Sequence, residues 1–156
     1  MKKLYPCGRF RGVGRSDGEY DEGKGEVEDL AEIINWLTVI CPQKPIYLAG
    51  FSFGAFVAAA YAAQEHRLPL EHLILVAPPV HHFNMEVIQH FNVPVSIIMG
   101  GEDELVSVSQ VRSWAEALST PSPLEFHLLP DATHFFHGHL GDLKELVLAD
   151  LKLKGS

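Results

Sequence analysis

The chain has 156 residues, 47% of them hydrophobic, which suits one domain with a substantial core and leaves too little for two. Its 20 acidic and 12 basic residues give a net charge of −8 with no basic patch, so phosphate backbones and anionic lipid are repelled, and neither nucleic acid nor a membrane surface is an expected partner. No apolar run nears the roughly 18 residues of a bilayer span, Gly8, Arg9, Arg11 and Gly12 interrupt any signal-like region after Met1-Lys2-Lys3, and Cys7 and Cys41 lack a paired spacing; a reducing, cytoplasmic setting is the expectation.

In chain order, residues 3–10 carry a weak strand signal. The glycine-rich stretch from Gly12 to Gly18 lacks both the third glycine of a dinucleotide loop and the Gly-Lys-Ser/Thr of a phosphate loop, so it reads as a turn. Residues 26–40 put Val27, Leu30, Ile33, Ile34, Leu37 and Ile40 on one face at helical spacing, and Cys41-Pro42-Gln43-Lys44-Pro45 ends that helix. A strand is expected at 45–49, a small-residue helix at 55–63, strands at 72–78 and 94–100, a helix at 107–118, a strand at 124–129 and a closing helix at 140–151. Repeated switching between strand-like and helix-like periods predicts an α/β fold, a mostly parallel sheet covered by helices on both faces. No internal repeat or linker divides residues 1–156.

The junction between strand 45–49 and helix 55–63 is Gly50-Phe51-Ser52-Phe53-Gly54, a G-x-S-x-G pattern. A serine on a tight turn from strand to helix projects its hydroxyl clear of the sheet, and glycines on either side remove Cβ atoms that would meet the backbone. The backbone N–H of Phe53 opens the helix and points where an acyl oxyanion forms. Sites in such sheets lie beyond the carboxyl ends of the strands. Strand 94–100 is followed by Gly101-Glu102-Asp103-Glu104, and strand 124–129 by Pro130-Asp131-Ala132-Thr133-His134. Serine, then acid, then histidine is the chain order of an elbow-based triad, with Ser52 as nucleophile, Asp103 as orienting acid and His134 as base; Glu102 and Glu104 are reserve acids. His134, His137 and His139 also make an H-x-x-H-x-H run with metal-ligand spacing, but no cysteine or clearly placed carboxylate accompanies it, so no metal is assigned. His127, alternating within a strand, reads as a core or surface residue.

These motifs resemble the α/β-hydrolase family over about residues 8–145. Arg11-Gly12-Val13-Gly14-Arg15-Ser16, Leu48 to Gly54, Gly101-Glu102-Asp103 and Ala132-Thr133-His134-Phe135-Phe136 are similar to small, lidless bacterial members. The resemblance implies acyl transfer on a small-molecule ester or thioester through Ser52, His134 and Asp103, with no cofactor. It also implies that Arg15 and Ser16, in a loop bordering the site, touch substrate. His81, His82 and Phe83, in a 78–92 connection too short for a lid domain, would line an acyl or leaving-group pocket. One departure is expected to matter: the family pattern has further strands upstream, including the one whose loop donates the second oxyanion N–H, so the chain reads as N-terminally incomplete. Two classes follow, a serine hydrolase, or a catalytically impaired remnant or non-enzymatic binding module on the same scaffold. The strand at 46–49 is expected to present an unpaired edge, leading to homo-oligomerisation, aggregation or closure by strand 3–10.

Overall fold

Four apolar runs form four parallel strands, β1 (Ile46–Phe51), β2 (Leu70–Val76), β3 (Val95–Gly100) and β4 (Glu125–Leu129), in the spatial order β1-β2-β3-β4. Parallel neighbours need crossovers, and helices supply them. These are α2 (Phe53–Ala62) after β1 and α3 (Val108–Ala117) after β3, while α1 (Lys24–Ile40) precedes the sheet and α4 (Leu140–Leu153) follows it. Between β2 and β3 there is only a short 3₁₀ turn, Met85–Val87. The structure is a computed structural model that describes residues 9–64 and 70–153.

The two inner strands are the most buried, on both faces: Leu73, Ile74, Leu75, Ile97, Ile98 and Met99 are fully enclosed. Each such side chain contributes roughly 1.5–3 kcal/mol of burial, so β2 and β3 anchor the sheet energetically. Helix α2 packs on β1 and β2 through Ala55, Ala58 and Ala59, whose small side chains let it lie close to the strands, and α1 lies against α2. Trp114 of α3 fixes the connection after β2 by donating its indole N–H to the carbonyls of Met85 (3.1 Å) and Ile88 (3.2 Å).

Every expected helix forms, as does each of the four firmer strands, with ends displaced by at most two residues. The weak strand at 3–10 falls largely outside the described residues, and Arg9 and Phe10 belong to no strand. The stripe expected to bury one face of α1 is covered only in part. Ile34 is enclosed, Val27, Leu30 and Leu37 are half-buried, and Ile33 and Ile40 are exposed together with Trp36 and Val39. The Gly12–Gly18 stretch is a turn, with Gly12, Gly14 and Gly18 all at positive φ. It is tied to α1 by a two-pronged Arg11–Asp29 ion pair (2.7 and 2.8 Å), which keeps the guanidinium firmly protonated and lowers the Asp29 carboxyl. Glu26, buried in the first turn of α1, accepts the backbone N–H groups of Asp21 and Gly23, both at 2.9 Å.

Candidate active site

At the carboxyl end of β1 the chain must reverse into α2 within one residue, and Ser52 makes that turn at φ 51°, ψ −118°. This is a strained backbone for a residue with a Cβ. It is held by the Ser52 N–H donating to the Val76 carbonyl (2.8 Å) and by the Ser52 carbonyl accepting the N–H groups of Ala55 and Phe56. The tightness of the turn falls on Gly50, where a Cβ would press into the Gly54 carbonyl and lie 2.7 Å from the Ala55 nitrogen. Gly54 is different from the sequence expectation: a Cβ there would meet only the Phe10 ring, at an ordinary 3.6 Å. The Phe53 N–H opens α2, where first-turn N–H groups have no intrahelical acceptor.

Beyond β3, Gly100 and Gly101 let the loop that follows β4 cross at backbone contact. A Cβ on Gly100 would lie 2.9 Å from the carbonyl carbon of Ala132, and one on Gly101 2.9 Å from that of Pro130. The Glu102 N–H donates to Ala132 across the same contact (3.0 Å). The Asp103 side chain is fully enclosed. One of its oxygens accepts the N–H groups of Leu105 (2.9 Å) and Val106 (2.7 Å), and the other lies 2.9 Å from Nδ1 of His134. Three donors thus satisfy a buried carboxylate.

His134, 3% exposed at its side chain, completes the chain with Nε2 3.0 Å from the Ser52 hydroxyl. A carboxylate only accepts, so Nδ1 carries the proton, and Nε2 presents its lone pair to the serine O–H. Glu104, expected only as a reserve acid, takes another part: its carboxylate accepts the His134 backbone N–H (3.1 Å), and that bond lowers its pKa. Glu102 is exposed. Phe136, enclosed at φ 53°, plugs the histidine loop into the core.

The remaining expected residues divide. Arg15 is exposed, and the Ser16 hydroxyl faces the Arg9 carbonyl within its own loop (3.5 Å); what this segment brings to the elbow is Phe10 and Tyr20, with ring centroids 5.0 and 5.4 Å from that of Phe53. Phe83 does reach the elbow, packing on Phe53 (5.4 Å) and stacking on Phe56 (4.5 Å). His81 and His82 are exposed and lie against each other at 4.1 Å. His81 borders an open cleft of about 410 Å³ with Glu86, Ser109 and Trp114, and no residue of the Ser52–His134–Asp103 chain lines it. His134, His137 and His139 do not converge: His139 pairs with Asp142 (3.1 Å), His137 is exposed, and the His134 ring is engaged as described. The sequence reading missed the aromatic flanks of His134, Phe51 at 5.2 Å and Phe135 at 5.0 Å. Their signal was visible, since Phe51 fills a variable position of the G-x-S-x-G pattern and Phe135 follows the histidine directly.

The alpha/beta hydrolase fold model matches residues 8–90, just over half of the chain. The chain belongs to the α/β-hydrolase family. Among solved structures, this chain is similar to an alpha-beta serine hydrolase homologue from Coxiella burnetii, with 42% identity and a TM-score of 0.82 over 91% of this chain and 66% of that one. It is also similar to a serine hydrolase without a lid from Xanthomonas campestris, with 37% identity and a TM-score of 0.76 over 87% and 60% of the two chains. A curated relative, an uncharacterized protein of Rickettsia prowazekii, is 32% identical over 134 residues, 81% of this chain and 56% of that protein. The chain thus spans a little over half the length of the curated relative it matches. A Pyrococcus furiosus esterase, 23% identical with a TM-score of 0.78, shares the fold. Among the described residues no helix is long and apolar enough to cross a membrane.

Proposed function

We propose that the protein is a serine hydrolase acting on small carboxylic esters or thioesters through an acyl-enzyme intermediate. The observation that carries this reading is the hydrogen-bonded chain Ser52–His134–Asp103, assembled from the carboxyl ends of three strands. Nε2 of His134 takes the serine proton as Oγ attacks the acyl carbon, and the Phe53 N–H stabilises the oxyanion. The tetrahedral intermediate collapses, and the imidazolium gives that proton to the departing alcohol or thiol. Water, deprotonated by His134, then attacks the acyl-enzyme, and the proton returns to Ser52 as the acid leaves. Asp103 holds the tautomer and compensates the imidazolium throughout; no step needs a metal or cofactor. The exposed rings of Phe51 and Phe135 beside His134 favour substrates with an apolar acyl or alcohol part.

An active-site-directed fluorophosphonate tests the reading. Adduct on Ser52, located by peptide mass spectrometry and absent from Ser52→Ala, supports it; a folded sample that takes up no label points to the second reading, a scaffold that binds without turnover. That second reading has its own support, because one oxyanion donor is identified among the described residues, on Phe53. Two further proposals accompany the first. The free thiol of Cys41 and the charge of −8 support a reducing, cytoplasmic setting without nucleic-acid or membrane partners. The half-exposed β1, paired on one side only among the described residues, supports homo-oligomerisation through the sheet edge.

A further inference from the structure

We propose that Glu125, His127 and Asp150 form a binding site for one divalent transition-metal ion, Zn²⁺ by preference, that clasps α4 to the edge strand β4. Glu125 and His127 stand two residues apart on β4 and so share a face of the sheet, and Asp150 meets them from α4. One ligand atom from each lies within 4.8 Å of the other two. Nε2 of His127 is 3.5 Å from a Glu125 oxygen and 3.9 Å from Oδ1 of Asp150. Tetrahedral zinc with bonds of about 2.0–2.1 Å sets its ligand atoms about 3.3 Å apart, so rotamer adjustments well short of a backbone shift close the cluster around an ion.

The cluster has unmet polar atoms. Nε2 of His127 and Oδ2 of Asp150 are shielded from solvent and have no hydrogen-bond partner, although the Asp150 side chain is 3% exposed. Such atoms are uncommon because each costs the desolvation of a polar group without return. A cation satisfies both at once. One imidazole with two carboxylates suits zinc and its transition-metal neighbours; magnesium and calcium prefer all-oxygen sets. Glu125, 41% exposed, leaves a way in for the ion and a position for water. Glu125 opens β4, whereas Ser52, Asp103 and His134 follow strand ends, so this ion would lie outside the acyl chemistry and act on stability.

The test uses the whole chain, stripped with chelator and titrated with ZnCl₂ by calorimetry and with CoCl₂ by visible absorption. One equivalent should bind, cobalt should give the intense bands of a tetrahedral site, and zinc at a hundredfold excess over its dissociation constant should raise the melting temperature by roughly 5–10 °C. His127→Gln and Asp150→Asn should each lose the bands and the shift; should Asp150→Asn fail to fold, Glu125→Gln replaces it. Retention of the full shift in His127→Gln would assign it to surface histidines such as His81 and His82 and overturn the proposal. So would a folded wild-type chain whose melting temperature responds to pH but not to zinc, a cluster that takes protons only.

Discussion

His134 is held by two acidic side chains that do different work. Asp103 bonds the ring and sets which nitrogen carries the proton, whereas Glu104 bonds the backbone and sets where the ring begins. Asp103→Asn keeps the size of the side chain but turns an amide N–H₂ or a single carbonyl toward Nδ1, which favours the wrong tautomer; kcat for a p-nitrophenyl ester should fall by roughly 10⁴. Glu104→Gln retains an oxygen that can accept the His134 N–H, so its kcat should stay within several-fold of wild type. Should the Glu104 variant prove the damaging one, the acid has been assigned to the wrong residue. The three residues of this hydrogen-bonded chain were legible because each follows an apolar run that reads as a strand. The Glu104 contact was not legible, since a backbone amide carries no mark in the sequence of what accepts it.

At the level of elements, the two glycines of the serine turn are unequal. Gly50 faces backbone that cannot retreat, so Gly50→Ala should destabilise the fold by about 3 kcal/mol and abolish labelling of Ser52. Gly54→Ala meets a phenyl ring at contact distance and should leave both nearly unchanged; chemical denaturation with a labelling assay on each variant separates the cases. The pattern made both glycines appear obligatory because it records composition and not direction. Asp150 provides a second test, in chelated buffer. Its folded-state pKa is raised by burial, with Ser96, Glu125 and His127 as the facing groups. From the unfolded value near about 3.9 up to the raised value the folded chain holds the extra proton, so this group's contribution to stability declines as pH rises through that window and is lowest above it. Asp150→Asn should therefore melt above wild type at neutral pH and lose that margin as pH falls through the window. A constant margin at every pH would contradict this. His127 read as an ordinary strand position because its partner Asp150 lies 23 residues further on, on another element.

For the whole molecule, the periodicity made the parallel sheet and its helices legible, but not which strand lies at the edge. Strand β1 pairs with β2 alone among the described residues, its last residue Phe51 is exposed, and Trp36, Val39 and Ile40 are exposed on α1. An unpaired edge together with exposed apolar side chains invites another chain, so sedimentation velocity should show the average mass rising with concentration. A constant monomer mass across the range would remove homo-oligomerisation from the account.

The site is also a late event in the life of the chain. Ser52 and His134 are 82 residues apart and meet only when β1 and β4 occupy the same sheet, with β2 and β3 laid down between them. Contacts of such long separation form after the local ones, because the loops they close must first be ordered. Helical circular dichroism should consequently recover before reactivity toward fluorophosphonate when the denatured chain is diluted into buffer. A chain released early from synthesis or caught partly folded would carry its serine, its helices and most of its strands without the power to acylate, so reactivity at Ser52 reports completed folding more strictly than any spectroscopic measure of secondary structure.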